Sequence, residues 1–511
     1  MRQFLVSRAP RAALRSLVPG FAALADALRC ERGSITTAFA ASATVMILVS
    51  ASAIDVGRVY SLRSKMQSAL DAATLAGARS ILIEQLKTKD DIEQRVGLMF
   101  ENNLVKKSVS HSGLKVQIAA RTVHAETEIV VETPMLAIAG ITSIKTQIRS
   151  TAAIAETNLE MSLVVDTTGS IRINGHAENV KSALSDLVND LERLAPKLSL
   201  VPFSETVNLG PNRKLSWIDT LGLSPTHGIM FDESKGPVNH MALFLSMGMQ
   251  WKNCVEMRPI PYDVTDDPAS IANPSTLFVP FFGPAVNPFA NYLKSGYQTV
   301  AGVSVVRNPL SYTAANFAKV ADPGHPGDFY DPNANCNRNH IIPLTTNYGD
   351  IRSAISNFDF DGGTNIASGL AFGFHTLAPG EPFAEAAPYS PSTRKVMVLF
   401  TDGKNDMIVE SNGYGMFYDK RLGQPGNSWT GLAKRLDDRM DLLCANIKKR
   451  NITLYIISYA LPDTAAMNEQ RTRMDACASS PDKHFDAKTP ELLRAALVKI
   501  VESETPVILM E

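Results

Sequence analysis

Cysteine is scarce in this chain. Five are spread over 511 residues (Cys30, Cys254, Cys336, Cys444 and Cys477), and no two form a Cys-x-x-Cys pair. Zinc knuckles and thioredoxin-type sites are built on such pairs and are excluded. An excess of either charge is missing too: 50 Lys+Arg stand against 51 Asp+Glu, a formal net charge of -1. No basic stripe interleaved with aromatics occurs, so nothing argues for nucleic-acid binding. The phosphate-cradling G-x-x-x-x-G-K-S/T loop and the G-x-S-x-G elbow of serine hydrolases are absent. His111, His124, His227, His240 and His484 form no metal-ligand spacing. What is left is an ordinary globular composition, 45% hydrophobic and 20% charged, at a length that allows roughly two to four domains.

Charge is also missing locally: there is none between Arg32 and Asp55. As a helix, the run 33–54 would span ~33 Å, enough for the hydrocarbon core of a bilayer. Residues 34–54 are read as a transmembrane helix. Residues 1–33 carry Arg2, Arg8, Arg11, Arg15, Arg29 and Arg32, which places them in the cytoplasm and the rest of the chain outside. A cleaved signal peptide is the rival reading, with Ala51-Ser52-Ala53 as its small-residue site. The apolar run is longer and starts later than an h-region of ~7–15 residues, so a retained anchor is expected. Beyond Asp55, Val59, Leu62, Met66, Ala69, Ala73 and Ala76 repeat at three and four, which extends the helix into the exterior part. Leu114, Val116 and Ile118 alternate, as do Ile144, Thr146 and Ile148, so a small sheet is expected to pack on that helix. Residues 55–156 are thus a helix plus a small β module.

The richest stretch is Met161-Ser162-Leu163-Val164-Val165-Asp166-Thr167-Thr168-Gly169-Ser170. A buried strand delivers a carboxylate and two hydroxyls to its carboxyl end, where open α/β sheets bind ligands. Asp361-Gly362-Gly363-Thr364-Asn365 opens an apolar helix, and a second buried strand, 396–400, runs into Thr401-Asp402-Gly403. Asp166, Thr168, Ser170, Thr364 and Asp402 offer hard oxygens only, a set suited to Mg²⁺ or Mn²⁺ rather than Zn²⁺. Further buried strands at 198–201 and 452–457 alternate with helical patterns through Leu432, Leu436, Met440, Leu443 and Ile447 and through Leu492, Ala496 and Ile500. That alternation argues for a parallel sheet covered on both faces. A segment of about 210–345, rich in Pro, Gly and Asn, interrupts it; loops this long are functional or carry structure of their own.

The Asp-x-Thr-x-Ser run, the later Gly-Gly-Thr and the strand ending Thr-Asp-Gly resemble the metal-ion-dependent adhesion site of von Willebrand factor A (vWA) domains. Thr168 stands where a Ser is usual and keeps the hydroxyl. The resemblance implies an α/β fold: a doubly wound, Rossmann-like sheet over 157–511, with the insertion at about 210–345. It also implies Mg²⁺ or Mn²⁺ at Asp166, Thr168, Ser170, Thr364 and Asp402. Separately, Arg32-Gly33 with the apolar run behind it, and then Gln67-Ser68-Ala69-Leu70-Asp71, resemble the N-terminal module of TadE/TadG-like proteins of Flp (tight-adherence) pilus systems. Trp251-Lys252-Asn253-Cys254, Asn335-Cys336 and Cys477-Ala478-Ser479 extend the TadG likeness over nearly the whole chain past residue 32. The chain departs from these families at three points. Ala38 stands where pilins of this kind carry Glu, so processing and polymerisation are not implied. Phe372 replaces a frequent Trp. Lys404 replaces a common acidic residue and would repel a bound cation.

These resemblances imply a non-enzymatic, single-pass protein of the bacterial inner membrane, with its bulk periplasmic or extracellular. Its partners would be pilus-assembly components and a protein offering a carboxylate to the metal. An exported domain meets an oxidising compartment. Its four exterior cysteines permit three pairings. We expect Cys254 with Cys336, tying the insertion, and Cys444 with Cys477, tying the last helices; four buried free thiols are the alternative. Two other functions stand beside this one. One is an envelope scaffold whose metal site is unused. The other is Mg²⁺-dependent phosphoryl transfer with Asp166 as nucleophile, which needs a second carboxylate two residues on, where this chain has Thr168. His375, Trp217, Trp251 and Trp429 are read as packing residues, and Asp361 and Asp406 as supports of the site or solvated loop charges.

Overall fold

The structure is a computed structural model. It describes residues 35–81, 88–104, 109–119, 121–154, 158–211, 215–231, 237–283, 297–300, 303–306, 310, 312–313, 332–333, 335–406, 411–416, 419–423, 429–505 and 507–510. The expected cytoplasmic segment 1–33, Cys30 included, lies outside the described residues, as does the side chain of Trp429. The chain divides into two compact units: one from residues 1–81, 86–154 and 507–511, the other from 155–506 with 82–85.

The first unit is organised on α1 (Ile35–Ser80), 46 residues and therefore ~69 Å long. Its N-terminal part is bare: Ile35, Phe39, Val45, Met46, Ile47 and Val49 are exposed. Among the described residues it is the one helix long and apolar enough to cross a membrane. Farther on, the predicted stripe turns inward, and Met66, Ala69, Leu70 and Ala73 are buried. They share a core with Ile92, Val96 and Phe100 of α2 (Lys89–Asn102), which is opened by a reciprocal Thr88–Asp91 cap. The same core takes the inward residues of an antiparallel sheet: β1 (Val109–His111), β2 (Lys115–Ile118), β3 (Thr122–Glu132) and β4 (Ser143–Ile154).

The reading of 157–511 as one domain changes at its end. Residues Val507–Met510 pair antiparallel with 151–154 of β4 and complete the first unit's sheet. An open β4 edge would be a template for unwanted pairing, and this return closes it.

The second unit is a six-stranded sheet between two cores. Its elements are β5 (Asn158–Asp166), α3 (Gly169–Ile173), α4 (Ala177–Glu192), β6 (Lys197–Phe203), β7 (Val207–Asn208), α5 (His240–Ser246) and β8 (Cys254–Val255). They continue with a hairpin, β9 (Tyr297–Val300) and β10 (Val303–Val306), then β11 (Ile342–Thr345), α6 (Tyr348–Ser356), α7 (Ile366–Leu377) and β12 (Thr393–Thr401). Last come β13 (Ser411–Asn412), β14 (Gly415–Met416), α8 (Trp429–Lys449), β15 (Thr453–Tyr459), α9 (Ala465–Cys477), β16 (His484–Ala487) and α10 (Pro490–Glu504). The sheet order is β11-β6-β5-β12-β15-β16. All neighbours run parallel except β11, which is antiparallel to β6 at the edge.

Strand alternation feeds both faces. Met161, Leu163, Val165, Val398 and Phe400 join α4, α6 and α10 in one core, while Val164, Met397, Leu399 and Leu454 join α7, α8 and α9 in the other. Central strands covered on both sides must be apolar throughout, which is why β5 and β12 read as uninterrupted runs. The insertion packs into the second of these cores through Trp217, Phe231, Phe244, Trp251, Phe278 and Phe282. Phe372 lies within it, 5.2 Å from the Phe278 ring. Both expected disulfides are present: Cys254–Cys336 closes a span of 82 residues in the insertion, and Cys444–Cys477 joins α8 to α9.

Candidate metal centre

Strand β5 is where the chain order reverses, with β6 on one side and β12 on the other. Helices leave such neighbours on opposite faces, and the crevice opens at their carboxyl ends. Asp166 ends β5 and Asp402 follows directly on β12, so both carboxylates reach that crevice.

A short hydrogen-bonded chain links four of the five predicted oxygens. Thr168 Oγ1 lies 3.0 Å from Ser170 Oγ, and the Ser170 hydroxyl donates to Asp402 Oδ1 at 2.8 Å. Asp166 Oδ1 accepts the Thr168 N–H at 2.9 Å. Thr364 reaches the same end of the sheet through its backbone. Its loop is stitched to the β5 turn by Asp361 N–H to the Thr167 carbonyl and Gly169 N–H to the Gly362 carbonyl, both at 3.0 Å. Thr364 and Asp406 exchange both backbone bonds, at 2.7 and 3.0 Å, which ties that loop to the residues after Asp402. Asp361 is thus a support of the site through its backbone, while its side chain, exposed, pairs with Arg172 at 3.5 Å.

Both carboxylates are withdrawn from solvent. Asp166 is fully buried, and Asp402 is 7% exposed. Burial pushes the Asp166 carboxyl up, against the pull of its Thr168 and Thr401 hydrogen bonds. Asp402 is pushed up to about 7, first by burial and then by the charge of Asp166. Asp402 Oδ2 is buried with no hydrogen-bond partner among the described residues. An orphaned carboxylate oxygen on a group that feels the charge of a second buried carboxylate is costly unless a cation or proton joins it.

Three further residues contribute to the site. The Thr401 hydroxyl donates to Asp166 Oδ2 at 2.6 Å. Glu205, buried just past β6, accepts the Gly363 N–H at 2.8 Å and holds the Gly-Gly-Thr loop. Burial pushes its carboxyl up to about 8, with the Asp361 charge adding to the rise. Asn337, beside the Cys254–Cys336 bridge, donates to Thr167 Oγ1 at 3.2 Å, so the end of the insertion braces the β5 turn. Thr401 adjoins Asp402 in sequence and could have been found; Glu205 and Asn337 meet the site only through the fold. Among the described residues no three His, Cys, Asp or Glu side chains gather as metal ligands. The donor set is two carboxylates and neighbouring hydroxyls, hard oxygen throughout, which fits Mg²⁺ or Mn²⁺ and not a soft metal. His375 is buried against Phe278, in keeping with a packing role, and Trp217 and Trp251 are buried as well.

Residues 33–80 match the Tad family model, described as "Putative Flp pilus-assembly TadE/G-like". The match covers the segment that carries α1. A comparison with curated proteins finds no match. Among solved structures, the chain is similar to the pilus adhesin SpaC of Lactobacillus rhamnosus GG in its open conformation (11% identity, TM-score 0.31, covering 78% of this chain and 34% of that one). It is also similar to the pilus adhesin RrgA of Streptococcus pneumoniae (9%, 0.34, 78% and 49%) and the adhesive tip pilin GBS104 of Group B Streptococcus agalactiae (8%, 0.33, 78% and 69%). The chain thus spans about a third to a half of the length of SpaC and RrgA. Likenesses this loose bear neither on fold nor on partner.

Proposed function

We propose that the second unit is a vWA-type domain that holds Mg²⁺ or Mn²⁺ through Asp166, Thr168, Ser170, Thr364 and Asp402, and that it binds a protein partner rather than catalysing a reaction. The observation that carries this reading is the convergence of Asp166, Thr168, Ser170 and Asp402 at the sheet's switch point, with Asp402 Oδ2 buried and without a hydrogen-bond partner among the described residues. A divalent cation would neutralise the two carboxylates. With hydroxyls filling most of its protein ligands, a coordination position left open would accept an acidic group of the partner. The match of residues 33–80 to the Tad model supports a place in a Flp-type pilus system, with α1 as a single anchor in the bacterial inner membrane and the bulk outside. The disulfides support export.

Phosphoryl transfer fits poorly: Asp166 is fully buried and Thr168 replaces the needed carboxylate. A scaffold with an unused site is the second reading, favoured by Lys404 two residues after Asp402. Equilibrium dialysis with Mn²⁺ separates the two. We expect one ion per chain, lost in the Asp166→Ala, Asp402→Ala double variant. No binding to the unaltered chain contradicts the metal reading. Intact pilus function in the double variant contradicts its use.

A further inference from the structure

The hairpin end between β3 and β4 has no charge from Thr133 to Ile144. Solvated turns are built from polar residues and glycine. Here Pro134, Met135, Ala137, Ile138, Ala139 and Ile141 are exposed, Ile138 at 75%. The loop satisfies much of its own backbone. Ala137 N–H donates to the Thr133 carbonyl, Gly140 N–H to that of Ala137, and Ile141 N–H to that of Leu136. The Thr133 hydroxyl donates to the Ile141 carbonyl at 2.8 Å. One bond ties the loop to α1: Leu136 N–H donates to Asp55 Oδ2 at 2.7 Å, and Asp55 is only 2% exposed.

Asp55 is the first charge after the run 33–54. The loop therefore lies at the level where α1 leaves its charge-free stretch. Arg58 and Tyr60, both exposed, follow within ~8 Å along the helix. A cation and an aromatic are what the headgroup region accommodates. We propose that residues 134–141 enter the interface of the lipid bilayer that α1 crosses, on the Asp55 side, and seat the first unit on the membrane surface. The proposal rests on reading α1 as a membrane anchor. Lipid is the occupant because the apolar surface of the loop continues that of a helix of bilayer length. Its folded-back backbone meets the requirement that polar groups entering lipid be paired. The Asp55 carboxylate, otherwise a bare charge at the boundary, is covered by the loop.

The test uses the full chain with Cys30→Ser, reconstituted in phosphatidylcholine–phosphatidylglycerol vesicles. A single cysteine is introduced at Ile138, Val45 or Lys115 and labelled with an environment-sensitive fluorophore. Ile138 and Lys115 are exposed, so neither substitution disturbs the core. Spin-labelled lipids are expected to quench the label by at least twofold at 138 and at 45, and not at 115, which pairs with Glu126, six residues along β3 from its loop end. Quenching at 45 without quenching at 138 overturns the proposal and leaves the anchor standing. A label at 138 that is shielded from water yet unquenched by lipid assigns the loop to a protein contact and also overturns it. No quenching at 45 shows instead that the anchor reading has failed, and the proposal falls with it.

Discussion

The Asp402→Asn substitution should stabilise the metal-free protein and abolish stabilisation by metal. Asn keeps an acceptor for the Ser170 hydroxyl, now 2.8 Å from Asp402 Oδ1, and removes the charge that faces Asp166. A carboxyl raised from 3.8 to about 7 contributes stability that is full below pH 3.8 and lost as pH rises through 7. At pH 8 that contribution is gone from the unaltered chain, whereas Asn has nothing to lose. A rise from 3.8 to about 7 converts to roughly 4 kcal/mol, which should return. Unfolding entropy of ~2.1 cal/mol/K per residue over 155–506 gives ~0.7 kcal/mol/K, so Tm should rise by ~6 °C in EDTA. Mn²⁺ at a hundred times its Kd should add ~2.7 kcal/mol, or ~4 °C, to the unaltered chain and almost nothing to the variant. Calorimetry of the purified chain with EDTA or Mn²⁺ reads both effects. A variant less stable than the unaltered chain in EDTA, or equal Mn²⁺ shifts in both, contradicts a metal-binding role for the Asp402 carboxylate.

Three further outcomes are expected. Replacing Cys254 and Cys336 by Ser should lower stability by about 2–4 kcal/mol in denaturant titration, because the bridge closes a span of 82 residues, and should weaken Mn²⁺ binding by loosening Asn337. Glu205→Gln should keep the bond to Gly363 and flatten the fall in stability that the raised carboxyl imposes as pH climbs from 4.5 through about 8; an unchanged pH profile contradicts this. Gly369→Ala should cost roughly 1–3 kcal/mol, since a Cβ there would sit 2.5 Å from the Phe203 ring where α7 crosses β6. A neutral result by thermal melting contradicts that packing.

Long apolar strands and amphipathic helices were the parts most legible in the sequence. Strands β5 and β12 are buried on both faces, so their continuous runs identified them, and the carboxylates at their ends marked the crevice. The α1 stripe from Leu62 to Ala73 announced its buried face in the same way. What sequence did not reveal depends on distance along the chain. Val507–Met510 is a four-residue apolar run whose pairing with β4 lies over 350 residues back, and no local period encodes that. Glu205 is one acid among many until β6 and the Gly-Gly-Thr loop meet. The insertion, read as a Pro-, Gly- and Asn-rich loop, has Trp217, Phe244 and Phe282 spread through it at no regular spacing, yet these form a shared core with α7 and α8.

The most direct measurement is the anomalous difference map of a crystal soaked in Mn²⁺. One peak is expected within bonding distance of Asp166, Asp402 and the hydroxyls of Thr168, Ser170 and Thr364, directly or through a single water. A fully soaked crystal with no peak there, or with its peak elsewhere on the chain, contradicts it.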